Sequence, residues 1–249
     1  PMQIYAGIGK PTLLAIPFFI LAGVIMDHSG ISKRLINLAD TMVGHKTGGL
    51  AIVCVVVSCF FAAISGSGPA TVAALGAVMI PAMIKSGYGT ENSAALMSAS
   101  GSIGIIIPPS IPFVVYSGIS GVSVSRIFTA GIIPGILMGI SLAIAAYIIL
   151  KFNKQQVTSQ EKASGKMRLN ALKDAIWGLL MPVIILGGIY GGFFTPTEAA
   201  AVAAVYGLIV GLCIYRSIQI RDLIAILKES AIQSGGIMLI VGCAGLFAW

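Results

Sequence analysis

Two stretches of the sequence combine small hydroxyl side chains with residues that release the backbone from a helix. The first is Ser65-Gly66-Ser67-Gly68-Pro69-Ala70-Thr71, which carries no charge and no bulky polar group. The second runs from Ser100 through Gly101, Ser102, Gly104, Pro108, Pro109 and Ser110 to Pro112, inside an otherwise apolar run. Pro109 and Pro112 lack an amide donor and clash with the preceding turn, Pro108 drives Ile107 out of the helical region, and Gly101 and Gly104 loosen what remains. A helix broken in this way exposes two kinds of group. Its new N-terminal end attracts anions, and its C-terminal and unwound carbonyls attract cations. The hydroxyls of Ser65, Ser67, Thr71, Ser102 and Ser110 are hard oxygen donors that suit a small cation such as sodium better than a transition metal. The chemistry on offer is therefore reversible binding of an anion together with a small cation. Each of these residues alone is a common packing residue of membrane helices. Two dense clusters favour a site.

The elements that would carry these clusters follow from composition. Of 249 residues, 57% are hydrophobic and only 9% charged, far from the quarter that a water-soluble surface requires. The net charge of +7 is spread along the chain without the clustered, motif-supported face of a nucleic-acid binder. Runs long and apolar enough to cross a bilayer occupy residues 11–27, 48–65, 69–85, 92–118, 127–150, 175–193 and 196–215, with an eighth, 231–249, meeting the chain end. Residues 30–43 and 217–229 read as amphipathic stretches lying along the interface. In the first, Ile31, Leu35, Leu38 and Met42 share a helical face opposite Lys33, Arg34, Asn37 and Asp40. Alternate crossings gather Lys33, Arg34, Lys46, Lys85, Lys151, Lys154, Lys162, Lys166, Arg168, Lys173, Arg216, Arg221 and Lys228 on one side and leave Lys10 and Arg126 on the other. Basic residues stay in the cytoplasm, so the 151–174 linker and both amphipathic stretches are assigned there.

Residues 48–85 return to their starting side whether they form two full spans or a re-entrant hairpin, so charge does not choose between them. The small, uncharged turn favours the hairpin, because a tip buried at membrane depth has no room for larger groups. Over 92–118 the span is expected to break, and freed peptide groups in hydrocarbon cost several kcal/mol each unless protein or a wet cavity satisfies them. A site is the expected reason for such a break.

Other constellations are weaker. Gly66-Ser67-Gly68 is reminiscent of an intramembrane serine protease, yet the only histidines, His28 and His45, fall in loops bracketing the first amphipathic helix, where they read as solvated. No enzyme activity is expected. No ionisable residue falls at the centre of a predicted span, which argues against a carboxylate proton relay. Thr195-Pro196-Thr197-Glu198 has the spacing of a capping box. Cys54, Cys59, Cys213 and Cys243 lie in apolar runs without metal or redox spacing and read as packing residues. The chain starts at Pro1 and stops at Trp249 within an apolar run, and is expected to be part of a longer protein.

Together, Leu14-Ala15-Ile16-Pro17-Phe18-Phe19-Ile20-Leu21-Ala22-Gly23, Phe61-Ala62-Ala63-Ile64-Ser65-Gly66-Ser67 and Gly104-Ile105-Ile106-Ile107-Pro108-Pro109-Ser110-Ile111-Pro112 resemble the large membrane subunit of tripartite ATP-independent periplasmic (TRAP) transporters. Ala130-Gly131-Ile132-Ile133-Pro134-Gly135 and Phe194-Thr195-Pro196-Thr197-Glu198-Ala199-Ala200 extend the resemblance over essentially the whole chain. It implies an all-α membrane protein: a multi-span helical bundle with a re-entrant hairpin and a broken helix, of inverted-repeat, elevator type. Residues 1–151 would be the first repeat, with the hairpin at 48–85 and the broken helix at 92–118, 152–174 the basic linker, and 175–249 the start of the second repeat. The family's second hairpin and its Thr-Pro-Pro break are absent, so only half a transport site is expected here.

The resemblance further implies sodium-coupled uptake of an organic acid, such as a C4-dicarboxylate or sialic acid, across the bacterial inner membrane. A periplasmic substrate-binding protein and a small membrane subunit would be the partners, with no resident cofactor and sodium as coupling ion. The substrate and ion region maps to Ser65, Gly66, Ser67, Gly68 and Thr71, and to Ser102, Gly104, Pro108, Pro109 and Ser110. Ser65, Ser67 and Gly104 are the candidate sodium ligands. A symporter without a binding protein and a non-transporting assembly subunit are the alternatives.

Overall fold

The computed structural model describes residues 7–45, 48–152 and 163–247, and among them every regular element is a helix. A 3-10 turn, Pro11–Leu14, leads into α1, Ala15–His28. The chain continues as α2, Ile31–Val43, α3, Gly49–Ser65, and α4, Gly68–Lys85. Then come α5, Thr90–Gly101, and α6, Ile111–Ser120. The remaining helices are α7, Val124–Phe152, α8, Gly165–Tyr190, α9, Pro196–Ile209, and α10, Asp222–Phe247. Among the described residues, six helical stretches are long and apolar enough to cross a bilayer: Pro11–His28, Gly68–Lys85, Val124–Ile149, Gly165–Tyr190, Pro196–Ile214 and Asp222–Ala244. The fold is thus all-α and multi-span.

Helix α1 is the central element. It packs on α9 along a face of small residues, where Ala199, Ala200 and Ala203 are fully buried and a Cβ on Gly207 would stand 3.0 Å from Ile25 Cγ2. In lipid, where burial of apolar surface gives helices no reason to associate, such close backbone approach supplies dispersion contacts instead. The other faces of α1 meet α10 and α3. Helix α2 turns Ile31, Leu35 and Leu38 inward against α8 and α3, while Met42 of the same expected stripe is 57% exposed.

Two boundaries differ from the sequence reading. Residues 217–229 do not form a separate interfacial helix: Asp222 begins α10, which continues unbroken through Gly236 to Phe247. No proline interrupts that stretch, and the Asp222 carboxylate closes the entering turn by accepting from the Gln219 amide at 2.8 Å. Helix α8 begins ten residues early, at Gly165, because Ser164 caps it by accepting from the Met167 amide at 3.3 Å. Residues 165–174 of the expected linker are therefore helical. Lys46, Lys154 and Lys162, counted in the charge pattern, lie outside the described residues. The span expected over 196–215 is present: α9 ends in a π turn, Val210–Ile214, whose wider ring is closed by Tyr215 N donating to Val210 O at 2.7 Å.

Candidate functional site

The two clusters meet. Between α3 and α4 the chain reverses in two residues, Gly66 and Ser67, and between α5 and α6 it leaves the α-helix through a 3-10 turn, Ser102–Ile105, and an irregular segment to Ser110. Gly66 has φ +61, a backbone conformation L side chains disfavour, and a Cβ there would stand 3.0 Å from Pro109 O and 3.2 Å from Ile111 N. The bare backbone of the tip can therefore press on the break, and Ile111 N donates to Gly66 O at 3.1 Å. Gly68 does the same two residues further on, where a Cβ would meet Gly101 O at 2.9 Å. Pro108 and Pro109 are both buried in this contact.

Within the tip the hydroxyls form a closed set. Thr71 Oγ1 donates to Ser67 O at 2.8 Å and lies 3.2 Å from Ser65 Oγ, which in turn is 3.3 Å from Ser67 O. Ser67 caps α4 by accepting from Ala70 N at 3.4 Å. Ser65 and Thr71 are buried, while Ser67 is half-buried and Pro69 exposed, so the tip is covered on one side only. At the break the hydroxyls serve their own backbone: Ser102 Oγ donates to Ala99 O at 2.7 Å, and Ser110 Oγ to Ile105 O at 2.6 Å while capping α6 through Phe113 N. Gly104 is buried in the 3-10 turn, which packs on α3 and α4. The result is a junction of four helix ends. The N-termini of α4 and α6 bring exposed amides and positive dipole ends, and the C-termini of α3 and α5 bring carbonyls.

A third element completes the junction. Gly23 of α1 faces the tip, with room for no Cβ nearer than 3.2 Å to Ser65 Cα. Beside it is a cavity of about 60 Å³ into which Ser65, Ser67, Asp27, Glu229 and Gln233 project. Asp27 and Ala73 also line a wide cleft of about 800 Å³ that carries Lys33, Asn37 and Ser217, so the tip communicates with the face bearing the basic residues of α2. A second cleft, of about 810 Å³, opens elsewhere beside Lys10, Ser123 and Thr195.

Asp27, Glu229 and Gln233 are residues the sequence reading passed over. Asp27 sits at the end of a predicted span rather than at its centre, and Glu229 was placed on an interfacial stretch. Only the continuity of α10 brings Glu229 to α1. His28, read as solvated, lies 3.3 Å from Glu229 Oε2, whose other oxygen accepts from Gln233 Nε2 at 3.2 Å. The capping box at α9 is present in full: Glu198 Oε2 accepts from Thr195 N at 2.7 Å, and Glu198 N donates to Thr195 Oγ1 at 3.3 Å.

A bundle of membrane-length helices enclosing a broken helix and a buried polar tip defines a multi-pass membrane protein. The chain belongs to the DctM component family of tripartite ATP-independent periplasmic transporters, whose family model matches residues 1–249. That family is one of transporters and not of enzymes. Among its relatives is the C4-dicarboxylate TRAP transporter large permease protein DctM of Pseudomonas aeruginosa, 46% identical over 237 residues that cover 95% of this chain and 55% of the relative. The protein of the same name from Vibrio cholerae is 53% identical over 208 residues, 84% of this chain and 46% of the relative. The sialic acid TRAP transporter large permease protein SiaM of Vibrio cholerae is 40% identical over 247 residues, 99% and 57% respectively. The chain spans about half the length of the curated relatives it matches.

Proposed function

We propose that the chain contributes one half of the transport site of a sodium-coupled importer of organic acids, working as part of a TRAP large permease with a small membrane subunit and a periplasmic substrate-binding protein. The observation that carries this reading is the junction of tip and break, held by the Ile111 N to Gly66 O bond. Two helix N-termini at one buried point favour a carboxylate substrate, and the carbonyl ends and hydroxyls beside them favour a small hard cation. A site that binds both makes uptake of one dependent on the other, because each ligand raises the affinity of the other by the same factor. Ser65, Ser67 and Gly104 are the proposed sodium ligands, with Ser102 and Ser110 holding the break in shape. A rigid shift of the hairpin and broken helix against the remaining helices would carry the site across the membrane. C4-dicarboxylates and sialic acid are the substrates named for relatives, and an organic carboxylate is the class proposed here.

The test is uptake into proteoliposomes by the full-length protein with its small subunit. Radiolabelled C4-dicarboxylate and sialic acid are supplied with or without the periplasmic protein, and sodium is replaced by choline. Uptake that needs both sodium and the periplasmic protein is expected. Uptake without the periplasmic protein would identify a simple symporter, and uptake indifferent to sodium would overturn the coupling.

A further inference from the structure

The polar face of α2 borders a cleft. Lys33 and Asn37, four residues apart on one side of the helix, line the opening of about 800 Å³ that is also walled by Ala73 and Ala77 of α4. Both alanines are exposed, whereas Leu75 and Met79 of the same helix are fully buried, so α4 turns small side chains to the cleft and large ones to the core. The volume lies in the range of small-molecule clefts. Asp27 and Ala73 belong both to this cleft and to the cavity beside the Ser65 tip, so the two are continuous.

The charged groups along this passage change sign. Asp27 stands where cleft and cavity join and Glu229 in the cavity, while Lys33 borders the cleft alone, on the side to which the basic residues assign the cytoplasm. Arg34 also borders the cleft, but its guanidinium is engaged: it stacks 3.6 Å over the Tyr215 ring and donates to Gly30 O at 3.1 Å. His28 lies 3.3 Å from Glu229. Lys33 and Asn37 have no hydrogen-bond or ion-pair partner among the described residues. The guanidinium that could grip a carboxylate at two points is thus withheld, and a single ammonium with an amide beside it is left, a point charge that holds an anion more loosely. Loose binding suits a passage, because a solute must leave as readily as it enters.

We infer that this cleft is the cytoplasmic exit of the transport site and that Lys33, with Asn37, forms a transient binding site for a carboxylate group of the departing organic acid. An anion at the tip is repelled outward by Asp27 and Glu229 and met by Lys33, and the alanines of α4 leave it room to pass. The inference rests on the carboxylate-transport reading above, to which it adds the residues that receive the substrate once it leaves the tip.

The experiment uses the full-length protein with its small subunit, in detergent and without the periplasmic protein, with succinate and sialic acid as probes at fixed sodium. The acid concentration that gives half the rise in melting temperature is followed. Lys33→Gln is expected to raise it about threefold to fivefold and Lys33→Glu further, with Lys33→Arg recovering part of the loss. Asn37→Leu, should Lys33→Glu not accumulate in the membrane, is expected to shift the curve in the same direction. Added choline chloride is expected to weaken acid binding by the wild type more than by Lys33→Gln. Lys85→Gln alters a lysine of the same side that does not border the cleft and is expected to leave the acid curve in place. In proteoliposomes Ala77→Phe, which fills the cleft, is expected to lose most of the maximal uptake rate at an unchanged half-saturating external acid. Acid curves indifferent to Lys33→Gln and Lys33→Glu, or a Lys33→Gln shift matched by an equal shift in half-saturating sodium measured without acid, would overturn the inference while sodium-driven uptake by the wild type kept the transport reading in place. Absence of sodium-driven uptake of either acid by the wild type would instead remove that reading and the inference with it.

Discussion

Gly23 of α1 lies against Ser65 so closely that a Cβ at position 23 would stand 3.2 Å from Ser65 Cα and 3.3 Å from its Cβ. The tip of the α3–α4 turn is thus clamped between the helix break on one side and the bare backbone of α1 on the other. Neither Ile111 nor Gly23 contributes a side-chain ligand, yet both set where the Ser65 hydroxyl points.

Replacing Gly23 tests that clamp. Gly23→Ala needs a shift of only a few tenths of an ångström, whereas Gly23→Val forces two further carbons against the tip. Overpacking of this kind costs about 1–3 kcal/mol. A graded fall in melting temperature is expected from Ala to Val, accompanied by loss of sodium-driven uptake in the Val variant even where it still inserts. Melting in detergent and proteoliposome uptake check both.

Gly66→Ala tests the other jaw. The left-handed backbone at φ +61 penalises any L side chain by about 1–2 kcal/mol, and the added Cβ would press on Pro109 O at 3.0 Å. The expected outcome is a lower melting temperature with a larger proportional loss of uptake, because the Ile111 N to Gly66 O bond must lengthen. Equal uptake per inserted molecule in wild type and variant would contradict the placement of transport at this contact.

How much of this was legible in the sequence depends on the range of each signal. Pro108, Pro109 and Pro112 act on their own turns, so the break at Ser102–Ser110 could be read locally, as could the capping box from Thr195 and Glu198. The long apolar runs likewise identify spans without reference to neighbours. What could not be read was which groups meet. Asp27 and Glu229 stand 202 positions apart, and Glu229 reaches α1 only because α10 is one helix from Asp222 onward. A charged, mildly amphipathic segment followed by an apolar one looks the same in sequence whether the helix bends at their junction or continues. The hydroxyls of Ser102 and Ser110, expected as ligands from their type and their place at the break, donate to Ala99 O and Ile105 O, bonds that no local pattern announces.

Thr195→Ala separates stability from transport. The variant removes the Oγ1 that accepts from Glu198 N, and loss of such a cap costs about 0.5–2 kcal/mol. Since α9 packs chiefly on α1 and α8, the expected result is a lower melting temperature with unchanged half-saturating sodium. A sodium shift measured in the uptake assay would mean that the start of α9 is coupled to the site.

Arg34 holds α2 to the chain following α9, and the nature of the contact predicts how it fails. Its guanidinium lies 3.6 Å over the Tyr215 ring, and the Tyr215 hydroxyl donates to Asp174 O of α8, so one stack links three elements. Burial pushes the Tyr215 phenol up from its ordinary value, and the Arg34 charge draws it part of the way back. A planar guanidinium stacks on an aromatic face in a way that a lysine ammonium cannot. Arg34→Lys is therefore expected to lose most of what Arg34→Leu loses, about 0.5–2 kcal/mol, despite keeping the charge. Melting of Arg34→Lys, Tyr215→Leu and the double variant checks this: the two single losses should sum to more than the double loss, because the second substitution removes a partner already gone.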